Sequence, residues 1–192
     1  IAWSIEQAKL VQSIDRVIVS TDCNEIAEVA EEFGAEVPFL RPKEISGDNS
    51  PEWKAWRHAL SFLHEMEGKM PDIMLSIPTT APLRRVVDIE NCLNLFKKGN
   101  TDVVITTTEA HRSPYFNMVK ECGDGNVNLV IRPAKKIFRR QDAPIVYDMT
   151  TVAYVMNPQF IMHNESIFDG RVKAIEVPKE TSIDIDNLFD FK

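Results

Sequence analysis

Two aspartates near the end of the chain, in Ser182-Ile183-Asp184-Ile185-Asp186, stand two residues apart. In an extended segment alternate side chains share a face, so Asp184 and Asp186 point one way while Ile183 and Ile185 anchor into a core. Two carboxylates on one face repel, and a shared cation relieves the repulsion. Hard oxygen ligands of this kind suit Mg²⁺, whose shell a phosphate-bearing substrate would complete. A simpler reading of the same residues is a solvated strand end in which Asp186 caps a helix beginning at Asn187. Spacing alone leaves both readings open.

Other polar groups fall where strands should end. Asp22 follows the apolar run Val17-Ile18-Val19, where it could cap a helix or face a ligand. Arg41, with Asp48, Asn49 and Ser50 in the same loop, offers a guanidinium fork and small polar groups able to read the edge of a base. The turn Pro78-Thr79-Thr80-Ala81-Pro82-Leu83-Arg84 sets hydroxyls and an arginine after a buried strand. Arg132, Lys135, Lys136, Arg139 and Arg140 crowd into nine residues, the one dense positive supply in an acidic chain; it serves either as a solvated face or as a contact for phosphates or a carboxylate. The four histidines have no Cys or carboxylate partner at metal spacing, and no G-x-S-x-G or glycine-rich phosphate loop can be drawn.

The elements that must position these groups alternate. Ile1, Ile5, Ala8 and Val11 make a helical stripe with no start signal before it. A strand Arg16–Thr21 leads to a helix Glu25–Phe33, capped by Asp22 with Asn24 and closed by Gly34. Glu36–Leu40 reads as an edge strand, because Pro38 has no N–H for a ladder. A polar loop then precedes an amphipathic helix Pro51–Glu67, a buried strand Asp72–Ile77, a helix Val86–Lys98 and a third strand Asp102–Thr107. Strand and helix alternating at this spacing predict a parallel sheet with a ligand beyond its carboxyl edge. From His111 to Met149 the pattern turns to hairpin pieces, Tyr115–Val119 and Asn126–Arg132 around Gly123-Asp124-Gly125, of the kind that form an interface arm. Thr151–Met156 and Val172–Val177 return to the sheet, joined by a short helix at Gln159–Met162.

With 192 residues, 44% of them hydrophobic, the chain suffices for one α/β core. A net charge of -7 argues against nucleic acid as a partner. Three cysteines without C-x-x-C spacing suit a reducing, cytoplasmic setting, and no apolar run has membrane-spanning length.

Taken in order, Val17-Ile18-Val19-Ser20-Thr21-Asp22, Arg41-Pro42-Lys43-Glu44 with Asp48, Thr80-Ala81-Pro82-Leu83-Arg84, Arg139-Arg140-Gln141-Asp142 and Ser182-Ile183-Asp184-Ile185-Asp186 resemble the acylneuraminate cytidylyltransferases, the CMP-sialic acid synthetase family. The resemblance spans essentially the whole chain. It implies a three-layer, Rossmann-like α/β nucleotidyltransferase with a mostly parallel sheet, and a homodimer whose protruding arm, residues 111–149 here, reaches the neighbour's site. It implies Mg²⁺-dependent transfer of CMP from CTP to the anomeric hydroxyl of a 2-keto sugar acid. Asp22, Arg41, Asp48, Asn49 and Ser50 would then bind the nucleotide. Thr79, Thr80, Tyr154, Arg139, Arg140 and Gln141 would bind the sugar, and Asp184 and Asp186 the metal. Arg84 and Asp186 would serve catalysis, Asp186 by helping to deprotonate the attacking oxygen.

Three departures qualify the match. Family members open with a strand and a loop wrapping the triphosphate, so residues 1–192 look like a single domain lacking that start; a non-catalytic relative that dimerises and holds nucleotide is the alternative. Pro78 replaces a common glutamine, and Thr150-Thr151 replaces Asn-Gly, so the sugar need not be N-acetylneuraminate. Ser46-Gly47-Asp48 sits in the Arg-Pro-x-Glu context of the sialic acid branch rather than in a Kdo-type loop.

Overall fold

A computed structural model describes residues 1–192. At its centre lies a four-stranded sheet in the order β1-β5-β2-β6, with β1 Met74–Ser76, β2 Val103–Glu109, β5 Tyr147–Met156 and β6 Val172–Glu176. β2 and β6 are parallel, while β5 is antiparallel to both β1 and β2. Three of the four strands therefore run one way and the sheet is mixed. β5 is reversed because the chain reaches it from the hairpin excursion and not through a helical crossover.

Alternation along the strands sorts the core into two halves. Val104, Val152 and Val155 face α4 (Val86–Lys97), packing with Ile89, Cys92 and Leu93. Val103, Ile105, Tyr154 and Met156 face the other way, onto Trp53, Trp56 and Leu60 of α3 (Glu52–Glu67) and Ile161 of α5 (Pro158–His163). Helix, sheet and helix make the three layers. α3 ends at Gly68, whose φ of 68° is the left-handed conformation a C-terminal cap favours.

α1 (Ala2–Leu10) buries Ser4, Ile5 and Ala8, and α2 (Asn24–Glu32) buries Ala30. The expected cap of α2 is corrected: Cys23 is its N-cap residue and no side chain caps it, while Asp22 turns toward Arg41. Between these helices Val17–Val19 pairs only with Glu36, through Val19 N–H to Glu36 O (2.9 Å) and Glu36 N–H to Val17 O (2.8 Å). This two-strand unit does not hydrogen-bond to the four-stranded sheet, contrary to the continuous sheet the sequence suggested. Its free edge and the free edge of β1 flank a cavity of about 760 Å³, walled by apolar residues of α1 and α3 such as Ile5, Ala8, Leu60 and Leu63.

In the excursion, β3 (Val119–Glu121) and β4 (Val127–Leu129) form an isolated hairpin over the Gly123-Asp124-Gly125 turn. The strand expected at Tyr115–Val119 starts only at Val119, because the N–H groups of Phe116, Asn117 and Met118 all donate to Ser113 O and curl the chain. The close of the excursion, Tyr147–Met149, is already within β5 and pairs with Thr107–Glu109. β5 also bulges against β2: the register passes from Val104↔Val155 to Thr106↔Thr150. Thr106 fills the gap, its buried Oγ1 accepting from Thr150 Oγ1 (2.8 Å) and from Ala153 N–H (3.3 Å). No helix is long and apolar enough to cross a membrane.

Candidate active site

The carboxyl ends of Val17–Ser20 and of β1 open on the same mouth of the cavity, which Ser20, Arg41, Glu52, Ser76 and Thr79 line. In open α/β sheets that rim is where ligands lie. Arg41 is fixed there from three directions. Its N–H donates to Thr21 O (2.7 Å), its Nε to Ser46 Oγ (3.1 Å), and its guanidinium stands 3.8 Å from Asp22 Oδ1. Ser46 in turn donates to Pro42 O (2.8 Å), so a turn of 3₁₀ helix holds the loop. Asp48 and Asn49 are exposed beyond it, and Ser50 is half-buried with Oγ unpartnered.

The second lip is the Pro78–Arg84 turn. Thr80 O accepts the Ile185 N–H (2.8 Å), and this one bond docks the terminal segment on the rim. Asp184 is consequently half-buried, and its charge is felt at the Arg84 guanidinium and at the Tyr154 phenol. Asp184 Oδ1 is buried and has no hydrogen-bond partner. Residues 182–186 form no strand, and Asp186 is exposed. The capping reading of Asp186 is corrected too: Asp190 Oδ2 accepts from the N–H groups of Asp186 and Asn187, both at 3.1 Å.

Arg84 departs most from expectation. It is 2% exposed, and its guanidinium turns into the protein, donating to Ser4 Oγ (2.9 Å), to Gln7 Oε1 (3.4 Å) and to Pro78 O. Gln7 also clasps the turn from α1, through Nε2 to Pro82 O (3.0 Å) and Arg84 O (2.9 Å). Burial lowers the Arg84 pKa to about 10 against the pull of Asp184, so it remains a cation at neutral pH. Its Nε is unpartnered. These contacts make it a clamp on the turn that carries Thr79 and Thr80.

Tyr154 is the Cα partner of Ser76 across the β1–β5 ladder, and its ring lies 6.1 Å from that of Trp56. Burial, then Glu52 and Asp184, push its phenol up to about 12, so it stays a neutral donor. Both carboxylates therefore act electrostatically on one tyrosine. Arg139, Arg140 and Gln141 are elsewhere, exposed on the excursion: Arg139 pairs with Asp142 (2.8 Å) and Arg140 donates to Ala110 O (3.3 Å). None of the three makes a hydrogen bond or ion pair with the rim of its own chain.

Sequence reasoning missed Glu52, Ser20, Ser4 and Gln7. A carboxylate in the first turn after a polar loop was the one visible signal for Glu52. Ser4 and Gln7 act some 80 residues from their partner, and no local pattern announces them. Buried polar atoms are nearly always satisfied in folded proteins, so the unpartnered Ser20 Oγ, Ser50 Oγ and Asp184 Oδ1 call for an explanation, and a polar ligand supplies one. No group of three or more His, Cys, Asp or Glu side chains is gathered to hold an ion. Any divalent cation here would take much of its shell from substrate.

The family profile described as Cytidylyltransferase matches residues 1–191. The chain is 33% identical to the post-translational flagellin modification protein B of Campylobacter coli, covering 100% of this chain and 80% of that protein. It is 32% identical, with the same coverage, to the CMP-N,N'-diacetyllegionaminic acid synthase of Campylobacter jejuni. In fold it resembles a CMP:2-keto-3-deoxy-manno-octonic acid synthetase complexed with CTP, at TM-score 0.63 and 14% identity over 92% of this chain and 79% of that one. A second neighbour is the 4-diphosphocytidyl-2C-methyl-D-erythritol synthase of Anaerococcus prevotii, at TM-score 0.66 and 13% identity over 98% and 82%. With the profile covering nearly every residue, the chain belongs to the cytidylyltransferase family.

Proposed function

We propose that the protein transfers CMP from CTP to the anomeric hydroxyl of a nonulosonic 2-keto sugar acid and releases pyrophosphate. The observation that carries this reading is the docking of Asp184 by the Ile185–Thr80 bond onto the rim that also holds Arg41, Ser76 and Tyr154. A relative named for CMP-N,N'-diacetyllegionaminic acid synthesis supports the sugar class. In the reaction the sugar oxygen bonds to the α-phosphorus and the bond to the β-phosphate oxygen breaks. Pyrophosphate leaves, and the hydroxyl proton passes to a base at the rim, the role assigned to Asp186.

Arg41, held to Thr21 and Ser46, positions the cytidine with the Asp48–Ser50 loop, and Asp22 keeps its guanidinium in place. Thr79, Thr80 and the neutral phenol of Tyr154 donate hydrogen bonds to the sugar acid. Arg84 holds their turn rigid from behind. The orphaned Asp184 Oδ1 fits a hard cation, and Asp184 with Asp186 would hold Mg²⁺. When bound, that ion neutralises charge on the α-phosphate and leaving pyrophosphate. Arg139, Arg140 and Gln141 make no contact with their own rim, while Phe138, Ile145 and Met149 around them are exposed, which supports a homodimer in which the excursion serves the partner's sugar pocket. Two open strand edges facing one apolar slot support a further β-strand there as part of the complete domain. The test is pyrophosphate release with CTP, Mg²⁺ and a panel of nonulosonic acids. Turnover on at least one is expected, and none on any would overturn the proposal.

A further inference from the structure

Glu52 occupies the mouth of the cavity and has no place in the reading above. An acidic residue in the first turn of a helix is ordinarily there for the helix dipole. Glu52 is turned outward instead: it accepts no hydrogen bond from the amides of α3, and Ser76 Oγ donates to it at a long 3.4 Å. Ser76 ends β1, so the contact carries the carboxylate to the carboxyl edge of the sheet, among Arg41, Trp56 and Tyr154. Glu52 is exposed at the mouth, yet the walls beside it push its carboxyl up by partial desolvation, opposed by the Trp56 indole N–H, the Ser76 hydroxyl and the Arg41 charge. An ionised carboxylate offers about four acceptor sites, and Ser76 leaves most of them free.

The sign of its surroundings narrows what it could meet. A carboxylate at this point repels the triphosphate and the sugar carboxylate. Arg41 already supplies positive charge nearby, so Glu52 need not meet a cation. Neutral donors remain, and two adjacent hydroxyls match the paired oxygens of a carboxylate. A carboxylate receiving ribose hydroxyls is a solution other α/β nucleotide sites use.

Building on the cytidylyltransferase reading, we infer that Glu52 is a specificity-determining residue whose carboxylate accepts hydrogen bonds from a vicinal diol of the substrate at the cavity mouth. Two substrates bring such a diol: the ribose of CTP and the hydroxylated tail of the sugar acid. Charge-assisted hydrogen bonds of this kind change affinity by about tenfold or more.

The experiment measures calorimetric affinity for CTP and 2′-deoxy-CTP, together with the KM for the sugar acid, in the wild type, Glu52→Gln and Glu52→Ala. Thermal melting verifies that each variant is folded, and Glu52→Gln keeps the shape should Glu52→Ala fail. If ribose is the source, the wild type prefers CTP over 2′-deoxy-CTP by about tenfold and the variants lose that preference with the sugar KM unchanged. If the sugar acid is the source, CTP affinity holds while its KM rises about tenfold. Folded variants that change neither quantity beyond about twofold overturn the inference while leaving the parent reading intact. A wild type that neither binds CTP nor turns over removes both.

Discussion

Replacing Arg84 with methionine separates a clamp from a catalytic arginine. Methionine keeps most of the apolar stem in a site that is 2% exposed, so little packing is lost. What goes is the donor fork: the bonds to Ser4 Oγ at 2.9 Å and to Pro78 O, and the weaker reach to Gln7 Oε1 at 3.4 Å. Hydrogen bonds from a charged donor contribute about 1.5–3 kcal/mol each, so the two good ones come to about 3–6 kcal/mol. Against this stands the desolvation of a guanidinium, which costs several kcal/mol and which the substitution relieves. With Pro78 O left unpaired in a half-buried turn, a net loss of about 2–4 kcal/mol follows. For a chain of this size that lowers Tm by roughly 5–12 °C. Thermal and urea unfolding followed by circular dichroism reads it, with Arg84→Lys expected between the two because one ammonium cannot span Ser4 and Pro78 in a planar fork. A Tm for Arg84→Met equal to or above the wild type would refute the reasoning, since desolvation would then outweigh the bonds.

Thr106→Val keeps shape but leaves the Thr150 hydroxyl and Ala153 N–H without their shared acceptor, and urea unfolding should show a loss of about 1–3 kcal/mol. Glu52→Gln should stabilise the fold at neutral pH. Raising a carboxyl pKa on folding means the ionised form opposes folding, so the gain is absent below the ordinary value of 4.5, grows as pH rises through the raised native value and is full above it. Melts of both proteins across that range check it, and a pH-independent difference contradicts it. Cys92 is fully buried and its thiol is pushed up to about 12, whereas Cys122 is exposed and Cys23 half-buried. A thiol reagent at neutral pH should therefore leave one cysteine untouched until denaturant is added.

Much of the fold was legible because its signals are local. The stripe of α3 with Gly68 after it, the helix Val86–Lys97 and the apolar runs of β2 and β6 each announce themselves within a dozen residues. The direction of β5 was not, since nothing in Thr151–Met156 says whether the chain arrives by crossover or by hairpin. The same limit applied at the site. Asp184 could be picked out from alternation with Ile183 and Ile185, although the segment is irregular and one backbone bond to Thr80 does the placing. Arg84 was read outward from its turn, because its partners on α1 lie far away in sequence. Asp22 was read as a cap, and the pull of Arg41 across a loop decided otherwise.

The most direct measurement is pyrophosphate release from CTP and a nonulosonic acid, run with and without Mg²⁺ on the wild type and on Asp184→Asn. The account predicts metal-dependent release by the wild type and a fall of at least about a hundredfold in Asp184→Asn, the scale of losing one electrostatic contact to a transition state. Release at an undiminished rate by folded Asp184→Asn, or in the presence of a chelator, would contradict it.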